Sequence, residues 1–387
     1  MIPYGFQDIT IQDIDAVTAV LKSNFLTQGP VIPSFEKAIT NKCKVNYAVA
    51  VNSATSALHL ACLALGLGKD DVLWTTPITF VASANCALYC GATVDFVDID
   101  AKTYNLCPEK LEKKLELVST SGGKLPAVVV PVHLSGQSCN MEKLHTLSVR
   151  YGFKIIEDAS HAIGAKYKNK PVGNCQYSDI TVFSFHPVKI ITTGEGGVAV
   201  TNDKKLADKM RLLRSHGITR DPELMTHEPH GPWYYQQTDL GFNYRMTDIQ
   251  AALGLSQLER LDKYIDKRQS LASQYDKLLA ELPVTRPYQH PDSYSSYHLY
   301  IIRLQPDKTR ASHPKVFSFL RKQGIGVNLH YIPVHTQPYY QQAGFSYGDF
   351  PEAEKYYTEA ISLPLFPKIK PEEQTYIVNT LKQVLST

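Results

Sequence analysis

Lys189 stands between an aromatic, apolar run and a glycine-rich turn, in SFHPVKIITTGEGGVAV over residues 184–200. A lysine enclosed by apolar chain loses pKa, and its neutral amine becomes a nucleophile that an aldehyde can capture as a Schiff base. Glycines 194, 196 and 197 let backbone pass close to a bound group. A lone lysine at a strand end is ordinarily a snorkelling side chain, so its companions decide the reading. One companion is Asp158, just beyond the apolar run in FKIIEDASHAIG. There a carboxylate can accept a hydrogen bond from a protonated pyridine nitrogen and keep that ring an electron sink; taken alone it reads more readily as a helix N-cap. His161, three residues on, can stack on a flat ring, although a single histidine here is ordinarily a core residue. The third companion is AVAVNSATSALHLACLAL (48–65), a strand, a turn of small polar residues and a helix whose Leu58, Cys62 and Leu65 share a face. A helix N-terminus of this kind is an anion site suited to a phosphate, or simply a capped helix. Ser184 adds a hydroxyl five residues before Lys189.

The elements that must hold these groups are legible as short β-branched runs alternating with helical patterns: AVAV (48–51), AVVVPV (127–132), FKII (153–156), ITVFSF (180–185) and GVAV (197–200). That rhythm implies an α/β fold with a mostly parallel, helix-covered sheet, whose ligands bind beyond the carboxyl ends of the strands. From Met246 to about Leu279 the pattern turns helical, with Ile249, Ala252, Leu253 and Leu258 near helical spacing, and bridges to a smaller C-terminal α/β domain. At 387 residues two domains are expected, divided as 1–250 and 251–387. Residues 220–238 are rich in proline and aromatics without period, as an ordered loop at the site or an interface would be.

Composition narrows the partners. Forty basic against 37 acidic residues leave a charge of +3, too balanced for a nucleic-acid or membrane-surface field. The first residues have neither a basic leader nor an apolar core, and no apolar stretch approaches a membrane span, so a cytoplasmic protein is expected. Seven cysteines without metal-ligand spacing argue against zinc and disulfides, with Cys86 and Cys90 read as helix-face packing. A Rossmann dehydrogenase would need a GxGxxG turn between strand and helix, which is absent.

Six segments together carry a family resemblance: FLTQGP, NSATSALHLA, TTPITFVASANCALYCGA, EDASHA, SFHPVKIITTGEGG and GFNYRMTDIQAALGLSQL. Across essentially its whole length the chain resembles the DegT/DnrJ/StrS sugar aminotransferases. The resemblance implies fold-type I, a large domain with a mostly parallel seven-stranded sheet plus the smaller domain, and pyridoxal 5′-phosphate (PLP) as cofactor. It implies Lys189 as Schiff-base lysine, Asp158 as partner of the ring nitrogen, and Phe80 and His161 as the stacking pair. Phosphate contacts fall on Ala54, Thr55, Ser184 and Asn243, with Ala54 where many relatives have glycine. Nucleotide-sugar contacts fall on Tyr4, on Asn24, Phe25, Leu26 and Thr27, on Asn328, Leu329, His330 and Tyr331, and on Tyr339. Arg245 and Arg220 are candidates for the donor's carboxylates, although a surface role suits each. A homodimer with shared sites is implied, Asn243 acting in trans. IPYG, FLTQGP, NSATSAL and WTTPITFVASAN look most like the branch of the pseudaminic-acid pathway, which moves the amino group of L-glutamate to C4 of UDP-2-acetamido-2,6-dideoxy-β-L-arabino-hexos-4-ulose. Relatives that instead dehydrate at C3 have histidine at the Schiff-base position, and a non-catalytic sensor would have no need of Lys189 with Asp158.

Overall fold

The computed structural model describes residues 1–386. Its largest sheet has seven strands: β1 (Tyr47–Val51), β2 (Val72–Thr75), β3 (Thr93–Phe96), β4 (Val128–Val130), β5 (Lys154–Asp158), β6 (Ile180–Ser184) and β7 (Gly197–Thr201). Five coincide with the β-branched runs. The other two, VLWT and TVDF, mix polar and aromatic residues and escape that signal. In space the order is β1-β7-β6-β5-β4-β2-β3. Strands β6, β5, β4, β2 and β3 run parallel to one another, while β7 is antiparallel to both β6 and β1. Central strands β6 and β7 are buried at every position, as a sheet covered on both faces requires.

Strand ends set the site. The last residue of β5 is Asp158 and the last of β6 is Ser184; β1 runs through Asn52 and Ser53 into helix α1 (Ala54–Ala64). Gly197 begins β7 against this turn, where any Cβ would come within 2.5–2.6 Å of the Ser53 and Ala54 backbone. The close approach required of this glycine is therefore to the turn ahead of α1. Helix α2 (Ala82–Tyr89) follows β2 and reaches back over the end of β5.

The long helical pattern resolves into two helices, α3 (Asp248–Leu258) and α4 (Leu261–Leu278). In α3 the buried residues are small or polar, Ala251, Ala252, Gly254, Ser256 and Gln257, while Ile249, Leu253 and Leu258 are only half-buried. The reason is close packing: a Cβ on Gly254 would meet Phe35 at 2.9 Å. Along α4 the hydrophobic partners change. Leu261, Tyr264 and Ile265 belong to the cluster of Phe35, Phe183 and Phe185, and Leu271, Ala272 and Tyr275 to that of Tyr300, Ile302, Ile377 and Leu381. This second cluster surrounds an antiparallel sheet of β8 (Val284–Thr285), β9 (Tyr300–Leu304) and β10 (Ala360–Leu363). The start of the chain lies on the same unit, Ile2 bonding Gly324 and Gly326 at 2.8 and 2.7 Å, and Tyr4 O accepting from Leu365 N at 3.0 Å.

Residues 220–238 form an excursion closed where Ile218–Thr219 pairs with Gln236–Gln237. It leaves Trp233 73% exposed. Among the described residues no helix is long and apolar enough to cross a membrane. All seven cysteines are free, with Cys86 buried in α2.

Candidate active site

A cavity of about 940 Å³ opens beyond the ends of β1, β5 and β6. Lys189 lines it from a compact loop between β6 and β7, pinned at its base where Phe185 O accepts from Thr193 N at 3.0 Å and from Thr192 Oγ1 at 2.9 Å. Its amine meets no hydrogen-bond partner among the described residues. Lys189 is half-buried and its remaining area faces the cavity. That setting pushes the ammonium down to about 8, against the opposing pull of the Asp158 carboxylate.

Asp158 is 5% exposed. Its Oδ1 accepts from Ser160 N at 3.0 Å and its Oδ2 from Ser83 Oγ at 2.6 Å, Ser83 itself lying 2.7 Å from Thr79 Oγ1. The carboxylate is thus oriented on both oxygens and still lines the cavity with lone pairs to spare. This geometry is not that of a plain N-cap, since β5 is followed directly by a turn and a short strand, Lys166–Tyr167, and not by a helix.

At the start of α1, Ser53 Oγ accepts from Ser56 N at 3.1 Å and leaves the N–H groups of Ala54 and Thr55 without protein partners among the described residues. With Ser184 they line the same cavity. Two free N–H groups at a helix N-terminus beside two hydroxyls form an anion cradle.

His161 forms part of the wall. Its Nδ1 accepts from Ser135 N at 3.3 Å, so in the neutral ring the proton sits on Nε2, 3.0 Å from the Tyr331 hydroxyl. Burial, reinforced by the charge of Lys189, holds the imidazolium far below the usual histidine range. Tyr331 stacks on His161 at 22°, and Phe80, 60% exposed, lies 6.3 Å from Tyr331 at the cavity's edge. Tyr4, Asn328, Leu329 and His330 complete this wall. His330 Nδ1 lies 2.8 Å from Ser362 Oγ, and burial pushes this ring down to about 3.

Other sequence-predicted residues lie elsewhere. Asn243 is exposed, although its carbonyl meets Asn52 Nδ2 at 3.4 Å. Asn24, Phe25, Leu26 and Thr27 form an exposed loop moored to α3, with Leu26 O accepting from Asp248 N at 3.0 Å and Asp248 holding Gly29 N and Val31 N. Tyr339 is 63% exposed and outside the cavity. Arg220 is exposed; Arg245 is half-buried, its backbone bridging Val51, and neither arginine lines this chain's cavity.

The model of the DegT/DnrJ/EryC1/StrS aminotransferase family matches residues 7–382. The chain belongs to that family. It is 37% identical over 387 residues to the spore coat polysaccharide biosynthesis protein SpsC of Bacillus subtilis, covering 99% of this chain and 97% of that one. It is 38% identical to the UDP-4-amino-4,6-dideoxy-N-acetyl-β-L-altrosamine transaminase of Campylobacter jejuni, covering 100% and 98%. Among solved structures, Helicobacter pylori PseC, an aminotransferase of pseudaminic acid biosynthesis, superposes with a TM-score of 0.90 at 33% identity over 100% of this chain and 99% of that one. The protein is accordingly a sugar aminotransferase that depends on PLP, a cofactor that solved members carry in PLP and PMP forms.

The residues present fit that cofactor. The cradle of Ala54, Thr55 and Ser184 suits its phosphate, Asp158 can face its ring nitrogen, and Lys189 is the free amine its aldehyde needs. Sequence reasoning missed Ser83 and His298. Ser83 lay inside the TTPITFVASAN segment, but only the fold brings α2 onto Asp158. His298 opens the run into β9 and carries no periodic signal at all.

Proposed function

We propose that this aminotransferase moves the amino group of L-glutamate to C4 of UDP-2-acetamido-2,6-dideoxy-β-L-arabino-hexos-4-ulose, giving UDP-4-amino-4,6-dideoxy-N-acetyl-β-L-altrosamine, as a cytoplasmic homodimer with shared sites. The observation that carries the reading is Lys189 and Asp158 facing one cavity that the N-terminus of α1 also lines. The choice of sugar rests on the Campylobacter and Helicobacter relatives, each matched over nearly its whole length.

In this reading Ala54, Thr55 and Ser184 hold the cofactor's phosphate together with the partner's Asn243. Asp158 keeps the ring nitrogen protonated, so that the bound ring can accept the electrons of a broken C–H bond. His161 and Phe80 hold the ring from its faces. Lys189 Nζ anchors the cofactor and, once released, moves the proton to and from the donor Cα. With a pKa of about 8 roughly a tenth of the amine is neutral at pH 7, far more than for an ordinary lysine. Tyr4, Asn328, Leu329, His330 and Tyr331 meet the sugar nucleotide from this chain, and residues 24–27 and Tyr339, exposed outside this chain's own cavity, meet it from the partner chain. Their types suit it, since aromatic faces and amide groups recognise sugar and uracil. One cavity receives donor and acceptor in turn, so kinetics are ping-pong.

A panel of UDP- and dTDP-linked 4-keto sugars, with glutamate as donor and products read by mass spectrometry and NMR, tests the assignment. Amination of the UDP-β-L-arabino-hexos-4-ulose well above the rest is expected. Preference for a dTDP sugar, or for the opposite C4 configuration, would refute the acceptor.

A further inference from the structure

His298 lines the cavity from the residue before β9's approach, only 3% exposed, with its ring 4.4 Å from that of His161. Its position is unusually well fixed. Fully buried Arg268 donates through Nη1 to the carbonyls of Tyr297, His298 and Leu365 at 3.1, 3.2 and 2.9 Å. Ser296 Oγ donates to His161 O at 2.8 Å and Ser296 N to Gly136 O at 3.1 Å. Yet the imidazole so placed bonds nothing: Nδ1 is enclosed without a partner, and among the described residues none meets Nε2. Burial, with His161, Lys189, Arg268 and His330 around it, keeps the ring neutral. An enclosed bare lone pair costs less than an enclosed unsatisfied N–H, so the proton belongs on Nε2, the nitrogen left to reach the cavity.

The lining as a whole gives this donor a purpose. Its ionisable side chains include Lys189, Asp158, Glu195, His186 and the three buried imidazoles His161, His298 and His330 that burial keeps neutral, and it contains no arginine. A ping-pong cavity must take an anionic dicarboxylate in one half-reaction and an uncharged sugar ring in the other. A fixed guanidinium would be left buried and unpaired whenever the sugar is in place. A neutral N–H serves both occupants, because it donates equally to a carboxylate, a hydroxyl or a carbonyl oxygen.

We propose that His298 is a specificity-determining contact of this cavity: an uncharged donor that bonds a carboxylate oxygen of the amino donor in one half-reaction and a sugar oxygen in the other. The inference rests on the two-substrate reading of the preceding subsection.

The test measures equilibrium binding to the cofactor-loaded protein by calorimetry, with glutarate as a non-reacting dicarboxylate and UDP-N-acetylglucosamine as a non-reacting sugar nucleotide. His298→Phe keeps the ring against His161 and removes the donor; both probes are expected to weaken about fivefold to tenfold, one hydrogen bond's worth. His298→Asn, which keeps a donor, is expected to recover part of that loss. His298→Arg is expected to split the two, holding or strengthening glutarate while weakening the sugar nucleotide by about tenfold or more. Unchanged binding in His298→Phe would overturn the proposal, as would equal loss of both probes in Phe, Asn and Arg variants alike, the mark of a packing role. If wild-type protein binds glutarate but no UDP sugar, the acceptor assignment falls instead, and the same contrast is made with the nucleotide sugar that the panel identifies.

Discussion

Asp158 acts on Lys189 across the cavity, and the sign of that influence can be worked out. Burial favours the neutral amine while the Asp158 carboxylate favours the ammonium. Capture of the cofactor by apoprotein needs the neutral form, so its rate should rise with pH and level off above about 8. In Asp158→Asn the opposing charge is gone, and the midpoint should move to lower pH in a stopped-flow titration; a midpoint that stays put or rises would show that the carboxylate does not act on the amine. Borohydride reduction of the loaded protein followed by peptide mapping should label the peptide containing Lys189 and no other. Ser83 acts one step further out. Its 2.6 Å bond to Asp158 is fully enclosed, so Ser83→Ala should slow the glutamate half-reaction about tenfold, in line with one lost hydrogen bond to a charged group. Ser83→Thr keeps the hydroxyl and should restore much of the rate, whereas equal loss in both variants would point to α2 packing.

Among the elements, the short turn over Leu134–Gly136 after β4 ties the His161 wall to the run into β9. Gly136 has φ +96, and a Cβ there would strike the Ser296 side chain and come within 2.9 Å of the His161 carbonyl. The same turn supplies Ser135 N to His161 and takes Ser296 N. Gly136→Ala therefore meets backbone strain and overpacking together, a cost of about 2–4 kcal/mol. Thermal unfolding should shift down by several degrees, and the His161 wall should loosen with it; an unshifted melting curve would contradict this account. The β5 strand and the α1 cradle were readable because each couples a hydrophobic run to a polar residue at its end. Strands β2 and β3 were not, because VLWT and TVDF owe their place to pairing with neighbours and not to their own pattern.

For the whole molecule, the position of Asn243 carries the argument. It is exposed, outside its own chain's cavity, in company with the exposed loop of Phe25 and Leu26, which are 54% and 49% exposed. A two-fold dimer would turn these groups toward the neighbouring site. Mixing Lys189→Ala with Asn243→Ala chains then puts both defects in one site of each mixed dimer and none in the other. Random exchange should restore about a quarter of wild-type sites, although each parent alone is nearly inactive. Refolding the two mutants together, verifying that subunits mixed, and recovering no activity would rule out a site shared through Asn243.

What the sequence by itself determined is the chemistry and its scaffold. Lys189, Asp158, His161 and the small polar turn at 53–56 are tied to strand ends by adjacency along the chain, and adjacency is what periodicity reports. The five β-branched strands of a mostly parallel sheet and the helical bridge are likewise local patterns repeated. Tertiary structure alone decided the rest. Ser83 reaches Asp158 across 75 residues, Tyr331 reaches His161 across 170, and the start of the chain folds onto residues 324–326 to bring Tyr4 into the wall. His298 owes its place to Arg268, whose buried guanidinium binds three backbone carbonyls that no spacing rule connects. Such contacts arise from packing between elements, and their energy depends on which surfaces meet, a property that no short window of residues contains.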